Sequence, residues 1–135
     1  MARGAGRCRL CGRFAATRRA HSSRSHSHLT RDDLQRIADI RDAAADVAKV
    51  VALGRESFLA TTIHQRGVER LLEIIGEAAN QLSREVKLRH PDVNWRDIGR
   101  LRVLLAHRYH RVDPALVWVI AEGDVPELVA ALAGE

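Results

Sequence analysis

Arg102, His107 and Tyr109 fall within eight residues of one another, in the run Arg102-Val103-Leu104-Leu105-Ala106-His107-Arg108-Tyr109. These residue types suit the holding of a phosphate and the movement of a proton beside it. A guanidinium meets two phosphate oxygens with a planar pair of N–H donors. An imidazole changes charge near neutral pH without special surroundings. A phenol adds a hydroxyl that can donate, accept or be modified. The spacing by itself does not separate such a site from a solvated helix face, so the elements that carry these residues have to be considered.

On one straight helix each residue turns by about 100°. Arg102 and Tyr109 then differ by only about 20° and share a face, whereas Arg102 and His107 are about 140° apart. A single straight helix does not aim both at one phosphate. Either the helix ends or bends between them, or a second copy of the chain contributes to the same site. The geometry therefore favours a homodimer with the motif at its seam.

The surrounding pattern is helical throughout. Thr30 with Asp33 reads as an N-cap with an acid at N3. Behind it Leu34, Ile37, Ile40, Ala44, Val47 and Val51 recur at steps of three and four, predicting an amphipathic helix of about 20 residues that Gly54 closes. Phe58 and Leu59 read as a short hydrophobic turn. Thr62 reads as the cap of a long second helix with Ile63, Leu71, Ile74, Ile75, Ala78 and Leu82 as its buried stripe, and Gly76 and Ala79 allow a neighbouring helix to come close. His90-Pro91 ends that region, because a residue before proline avoids the helical conformation. Asn94 caps a third helix, from Trp95 to about Tyr109 with Ile98, Leu101, Leu104 and Leu105 as its apolar face. Asp113-Pro114 starts a last helical region, interrupted by Gly123 and Pro126. No segment alternates with period two. The expected fold is all-α, an antiparallel bundle of four to five helices spanning residues 29–135.

Three further blocks accompany the Arg-x4-His-x-Tyr signature. They are Glu69-Arg70-Leu71-Leu72-Glu73-Ile74-Ile75-Gly76-Glu77-Ala78, His90-Pro91-Asp92-Val93-Asn94-Trp95-Arg96-Asp97-Ile98, and Val112-Asp113-Pro114 with Val117-Trp118. With the signature they resemble the HepT-like toxins of the HEPN superfamily, over residues 29–133. The resemblance implies an endoribonuclease toxin that cleaves RNA without a metal or other cofactor, at a composite site formed across a dimer. In that reading His107 is the general base or acid, Arg102 the phosphate clamp, and Tyr109 the tyrosine that a cognate nucleotidyltransferase antitoxin of the MntA type modifies with AMP. Two departures stand out. The position after the arginine is commonly polar in this family, often asparagine, and here it is Val103. The run before it reads Gly99-Arg100-Leu101, where the family's glycine usually stands two before the arginine. The alternative is a non-catalytic partner, or antitoxin, of a nucleotidyltransferase.

Charge is unevenly spread. Of 22 basic residues seven, all arginine, lie in residues 1–28, a stretch without one acid; the rest of the chain holds 15 basic and all 17 acidic residues, a net of −2. The overall +5 thus describes an Arg-, Ser- and His-rich tail that reads as disordered, not a basic RNA-binding domain. The tail also matches the composition of a transit peptide. It attracts nucleic acid non-specifically at low salt, yet apart from Phe14 it lacks aromatics for base stacking. Cys8, Cys11, His21 and His26 lie in it, with a central gap of nine residues that is short for a zinc finger and has little to pack around a metal. His64 and His90 have no partner at metal-ligand spacing. With no apolar run near the roughly 18 residues of a membrane span and no secretory signal, the expectation is a cytoplasmic protein.

Overall fold

The computed structural model describes residues 29–106 and 112–135. Among these every regular element is helical: α1 (Arg31–Val51), α2 (Arg55–Ala60), α3 (Thr62–Asn80), α4 (Arg84–Arg89), α5 (Trp95–Ala106), α6 (Pro114–Val119), a π-helical turn (Ile120–Asp124) and α7 (Val125–Ala131). The fold is the expected all-α bundle. Its long helices α1, α3 and α5 correspond to the three expected from the apolar pattern, with α3 in the middle. The N-terminal end of α1 meets the residue that follows α3, because Ser83 N–H donates to Asp33 Oδ1 at 2.9 Å. Gly76 faces Arg102 while Asn80 faces Gly99. As numbers rise along α3 they fall along α5, so both pairs are antiparallel.

Local chemistry explains most boundaries. Thr30 and Asp33 form a complete capping box: Asp33 N–H donates to Thr30 Oγ1, and Thr30 N–H reaches the Asp33 carboxylate. Gly54 has φ +97°, which L side chains rarely adopt, and it turns the chain from α1 into α2. Asn94 accepts from Asp97 N–H at 3.1 Å and its amide donates to the Asp97 carboxylate at 2.9 Å, starting α5. Asp113 caps α6 through Ala115 N–H, with Pro114 in the first turn. Trp95 Nε1–H donates to the carbonyls of Lys87 and His90 and so closes α4 against the start of α5.

Four expectations change. Phe58 and Leu59 lie in a short helix, not a turn; Phe58 is fully buried with its ring centroid 5.4 Å from that of Trp118. The N-cap of α3 is Thr61, one residue before the one expected. Gly123 and Pro126 do not interrupt the last helical region. Val125 N–H bonds to Ile120 O, five residues back, and this wider turn makes room for the proline ring that would strike a regular α-helical carbonyl. Finally, Ile63, Leu34 and Leu104 are exposed, at 79%, 50% and 39%. The buried stripe of α3 runs through Val68, Leu72, Ile75 and Ala79, and Ile63 stands about 140° from Val68 around the helix.

On α1 the stripe position belongs to a carboxylate instead of Leu34. Asp33 is 3% exposed. Burial raises its pKa, but hydrogen bonds from Ser83 and Thr30 outweigh this and hold it below the ordinary carboxylate value. Glu135 is held low as well, first by its hydrogen bonds with Arg89 and also by His90, fastening the last residue to the end of α4. A carboxyl whose folded pKa is depressed stabilises the fold above its unfolded pKa, and that contribution is lost as pH falls through the folded value. Stability should therefore decline below about pH 4, and Asp33→Asn should lose part of that acid-dependent decline. Its expected cost at neutral pH is about 1–2 kcal/mol, since an amide keeps an acceptor but not the charge. Denaturant titrations at pH 7 and pH 3.5 check both points.

Candidate active site

Arg102 sits in the last two turns of α5, and its placement begins with Gly76. A Cβ built at Gly76 would lie 3.1 Å from Arg102 N, 3.1 Å from Ile98 O and 3.3 Å from Arg102 Cβ. The missing side chain lets the α5 backbone press on α3 right at the arginine. Ile98 and Leu101 are buried beneath it, and Gly99 faces the Asn80 side chain one turn away. The arginine is thus fixed at its root by helix-on-helix contact.

From this root the side chain enters a cleft of about 410 Å³ bordered by α1, α3 and α5. Arg36, Arg70 and Arg102 line it, together with Asp39, Glu73 and Glu77. Three cations balanced by three carboxylates do not make a groove that attracts a polyanion by net charge. Recognition there depends on individual donors. Arg70 is committed to Glu73 at 3.0 Å. Arg102 Nε lies 3.3 Å from Glu77 Oε1, in a pair whose side chains are 40% and 48% exposed. That exposure limits the pair to about 0–1 kcal/mol, so it sets direction more than stability. Arg102 Nε itself is buried and makes no hydrogen bond among the described residues, a situation that costs about 1–3 kcal/mol when nothing compensates. Glu77 is in turn anchored, because Gln81 Nε2–H donates to its other oxygen.

His107 and Tyr109 lie outside the described residues, which stop at Ala106 and resume at Val112. Of the three site residues expected from sequence, the structure places Arg102. Val103, the departure beside it, points away from the cleft to a separate apolar groove of about 650 Å³ between α5 and α6, shared with Leu101, Leu104, Leu116 and Ile120. Val103, Leu104, Leu116 and Val119 are each exposed by roughly two-fifths (45%, 39%, 40% and 42%). Glu77, Gln81 and Arg36 were not singled out by sequence reasoning. Glu77 and Gln81 carried one weak signal, their nearness to Gly76. Among the described residues no group of three His, Cys, Asp or Glu side chains is placed to hold a metal ion, and no helix is long and apolar enough to cross a membrane.

The comparison with known proteins joins this geometry to a family. A model of the HepT-like family, described as ribonuclease HepT-like, matches residues 40–133. The chain belongs to that family. A HepT-like relative from Thermococcus cleftensis, named a probable ribonuclease HepT, is 34% identical over 105 residues, covering 78% of this chain and 90% of the relative. Another, from Methanocaldococcus jannaschii and named a candidate RNase, is 33% identical over 91 residues, covering 67% of this chain and 84% of its own. No solved structure matches the chain. The family match spans α3, α5 and the Arg-x4-His-x-Tyr signature of this HepT-like protein, and it begins within α1 after Arg36.

Proposed function

We propose that this HepT-like protein is an endoribonuclease that cleaves RNA by transesterification, with Arg102 and His107 as its working pair. The observation that carries the proposal is the placement of Arg102, rooted against Gly76 and turned into a cleft, in a chain whose relatives are named ribonucleases. A ribose 2′-hydroxyl gives up its proton and its oxygen bonds to the adjacent phosphorus. The P–O5′ bond then breaks, the 5′-oxygen takes up a proton, and a 2′,3′-cyclic phosphate remains. His107 is the base or the acid in this sequence, and proton transfer by a positioned side chain contributes about 10²–10⁴-fold. Arg102 stabilises the charge that builds on the non-bridging oxygens. The step balances with these groups alone, and the proposed reaction is metal-independent. The deciding experiment is incubation of purified protein with RNA in EDTA, followed by analysis of the new ends. Cyclic phosphate ends support the proposal; absence of cleavage at any protein concentration removes it.

The site is completed in a homodimer. The apolar surface is formed by Val103 and Leu104, inside the signature, and by Leu116 and Val119, which follow it, and its burial against a second copy brings two signatures together. Leu104→Glu is expected to shift the protein from dimer to monomer in analytical ultracentrifugation at micromolar concentration and to remove RNA cleavage while leaving helicity unchanged. A dimeric, active Leu104→Glu protein would disprove this arrangement. Tyr109 is the position at which a cognate nucleotidyltransferase antitoxin adds AMP, placing bulk and negative charge where RNA must bind; the pair constitutes a toxin–antitoxin system. A second reading, a non-catalytic partner of such an enzyme, is favoured by Val103, which puts an apolar side chain where the family commonly carries a polar one.

A further inference from the structure

Taking Arg102 as the phosphate clamp, as proposed above, leaves open what aims its guanidinium. A guanidinium has two edges with which to meet a phosphate: the end formed by its two terminal nitrogens, and the side that includes Nε. On a side chain with four rotatable bonds, neither edge is presented unless something fixes the plane. Here the Nε side is already taken. It is buried, makes no hydrogen bond among the described residues, and has Glu77 Oε1 as its ion-pair partner at 3.3 Å. The other oxygen of Glu77 accepts from Gln81, the residue that caps the C-terminal end of α3. No hydrogen bond among the described residues engages either terminal nitrogen of Arg102.

We propose that Glu77, anchored by Gln81, is a positioning residue that fixes the Arg102 guanidinium through Nε and leaves its end-on pair of N–H donors to grip the phosphate. The two carboxylate oxygens have separate tasks, one toward the anchor and one toward the arginine. Both residues lie within a turn and a half of Gly76, so one stretch of α3 supplies the close approach that roots Arg102 and the acid that orients it. The opposite expectation is that Glu77 is a plain negative charge in the cleft, which would hinder RNA.

The two expectations diverge in kinetics. Glu77→Ala should lower kcat about tenfold with little change in KM, the size of effect that follows when a catalytic group loses its alignment. Glu77→Gln should recover most of the activity, because its carbonyl oxygen still stands beside Nε where the carboxylate oxygen lies, 3.3 Å away. In an Arg102→Lys background, which keeps a cation but has no Nε–H, Glu77→Ala should have no further effect. Thermal melting must show each variant folded. A second readout requires no cleavage: the Arg102 Nε–H signal in ¹H–¹⁵N NMR, assigned by its loss in Arg102→Lys, should exchange slowly in the parent and Glu77→Gln proteins and quickly in Glu77→Ala. Faster cleavage by Glu77→Ala, an equal loss in the Arg102→Lys background, or an unchanged Nε–H signal overturns the proposal. A parent protein that never cleaves RNA would defeat the ribonuclease reading alone, and the NMR comparison would still decide whether Glu77 orients Arg102.

Discussion

RNA cleavage by His107→Ala protein is expected to fall by about 10²–10⁴-fold relative to the parent, the range for removing a positioned proton-transfer group. Arg102→Ala should cost about 10²–10³-fold, comparable with deleting one preorganised donor to a developing oxyanion. Both losses should appear in kcat, because in the proposed mechanism each group acts on charge that develops in the transition state and contributes less to holding the ground-state RNA. Arg102→Lys separates charge from geometry. If a cation alone sufficed, lysine would restore most of the rate; the planar, edge-on role predicts that it restores little. The double variant should be no slower than about the worse single variant, since the two groups serve one chemical event and their effects are not additive. Circular dichroism and ultracentrifugation must first show each variant folded and in the parent's oligomeric state. Full activity in folded His107→Ala protein would take His107 out of the reaction, whereas no cleavage by the parent would move the assignment to the non-catalytic partner.

Sequence reasoning reached the parts of this molecule that depend on neighbours in the chain. The Thr30–Asp33 box, the Asn94 and Asp113 caps and the Gly54 turn are contacts within three residues or single-residue backbone preferences, and each appears where its residue types suggest. The all-α class followed from the apolar period. Errors arose where two periodic stripes competed. On α3 the choice of Ile63 and Leu71 over Val68 and Leu72 rotates the helix, and only the neighbouring helices decide which stripe is covered. The short helices α2 and α4, six residues each, lie below the length at which propensity alone gives a signal. Their apolar anchors, Phe58 in α2 and Val86 in α4, are buried in the core. Of the candidate site, Arg102 was legible from its spacing to His107 and Tyr109. Glu77 was not, because its pairing with Arg102 depends on how α3 and α5 cross.

That crossing is exposed to a direct test at Gly76. In isolation, Gly76→Ala should stabilise α3 by about 1 kcal/mol, the helix-propensity gain over glycine. The contact opposes it. The new Cβ would lie 3.1 Å from backbone atoms of both Arg102 and Ile98, and backbone inside a packed helix pair cannot rotate aside as a side-chain tip can. Overpacking of this kind costs about 1–3 kcal/mol, so alanine should come out neutral to mildly destabilising. Gly76→Val adds two methyl groups at the same point and gives up most of the propensity gain, and its expected cost is about 3 kcal/mol. Because the atoms it displaces belong to Arg102 itself, activity should fall further than stability explains. At a temperature where Gly76→Ala protein is still fully folded, kcat should already be reduced by about tenfold or more, the consequence of moving the proposed phosphate clamp by a fraction of an ångström to an ångström. Chemical denaturation beside single-turnover cleavage supplies both numbers. A Gly76→Val protein as stable and active as the parent would mean that α3 and α5 do not cross at this residue, and the route by which Arg102 reaches its cleft would have to be redrawn.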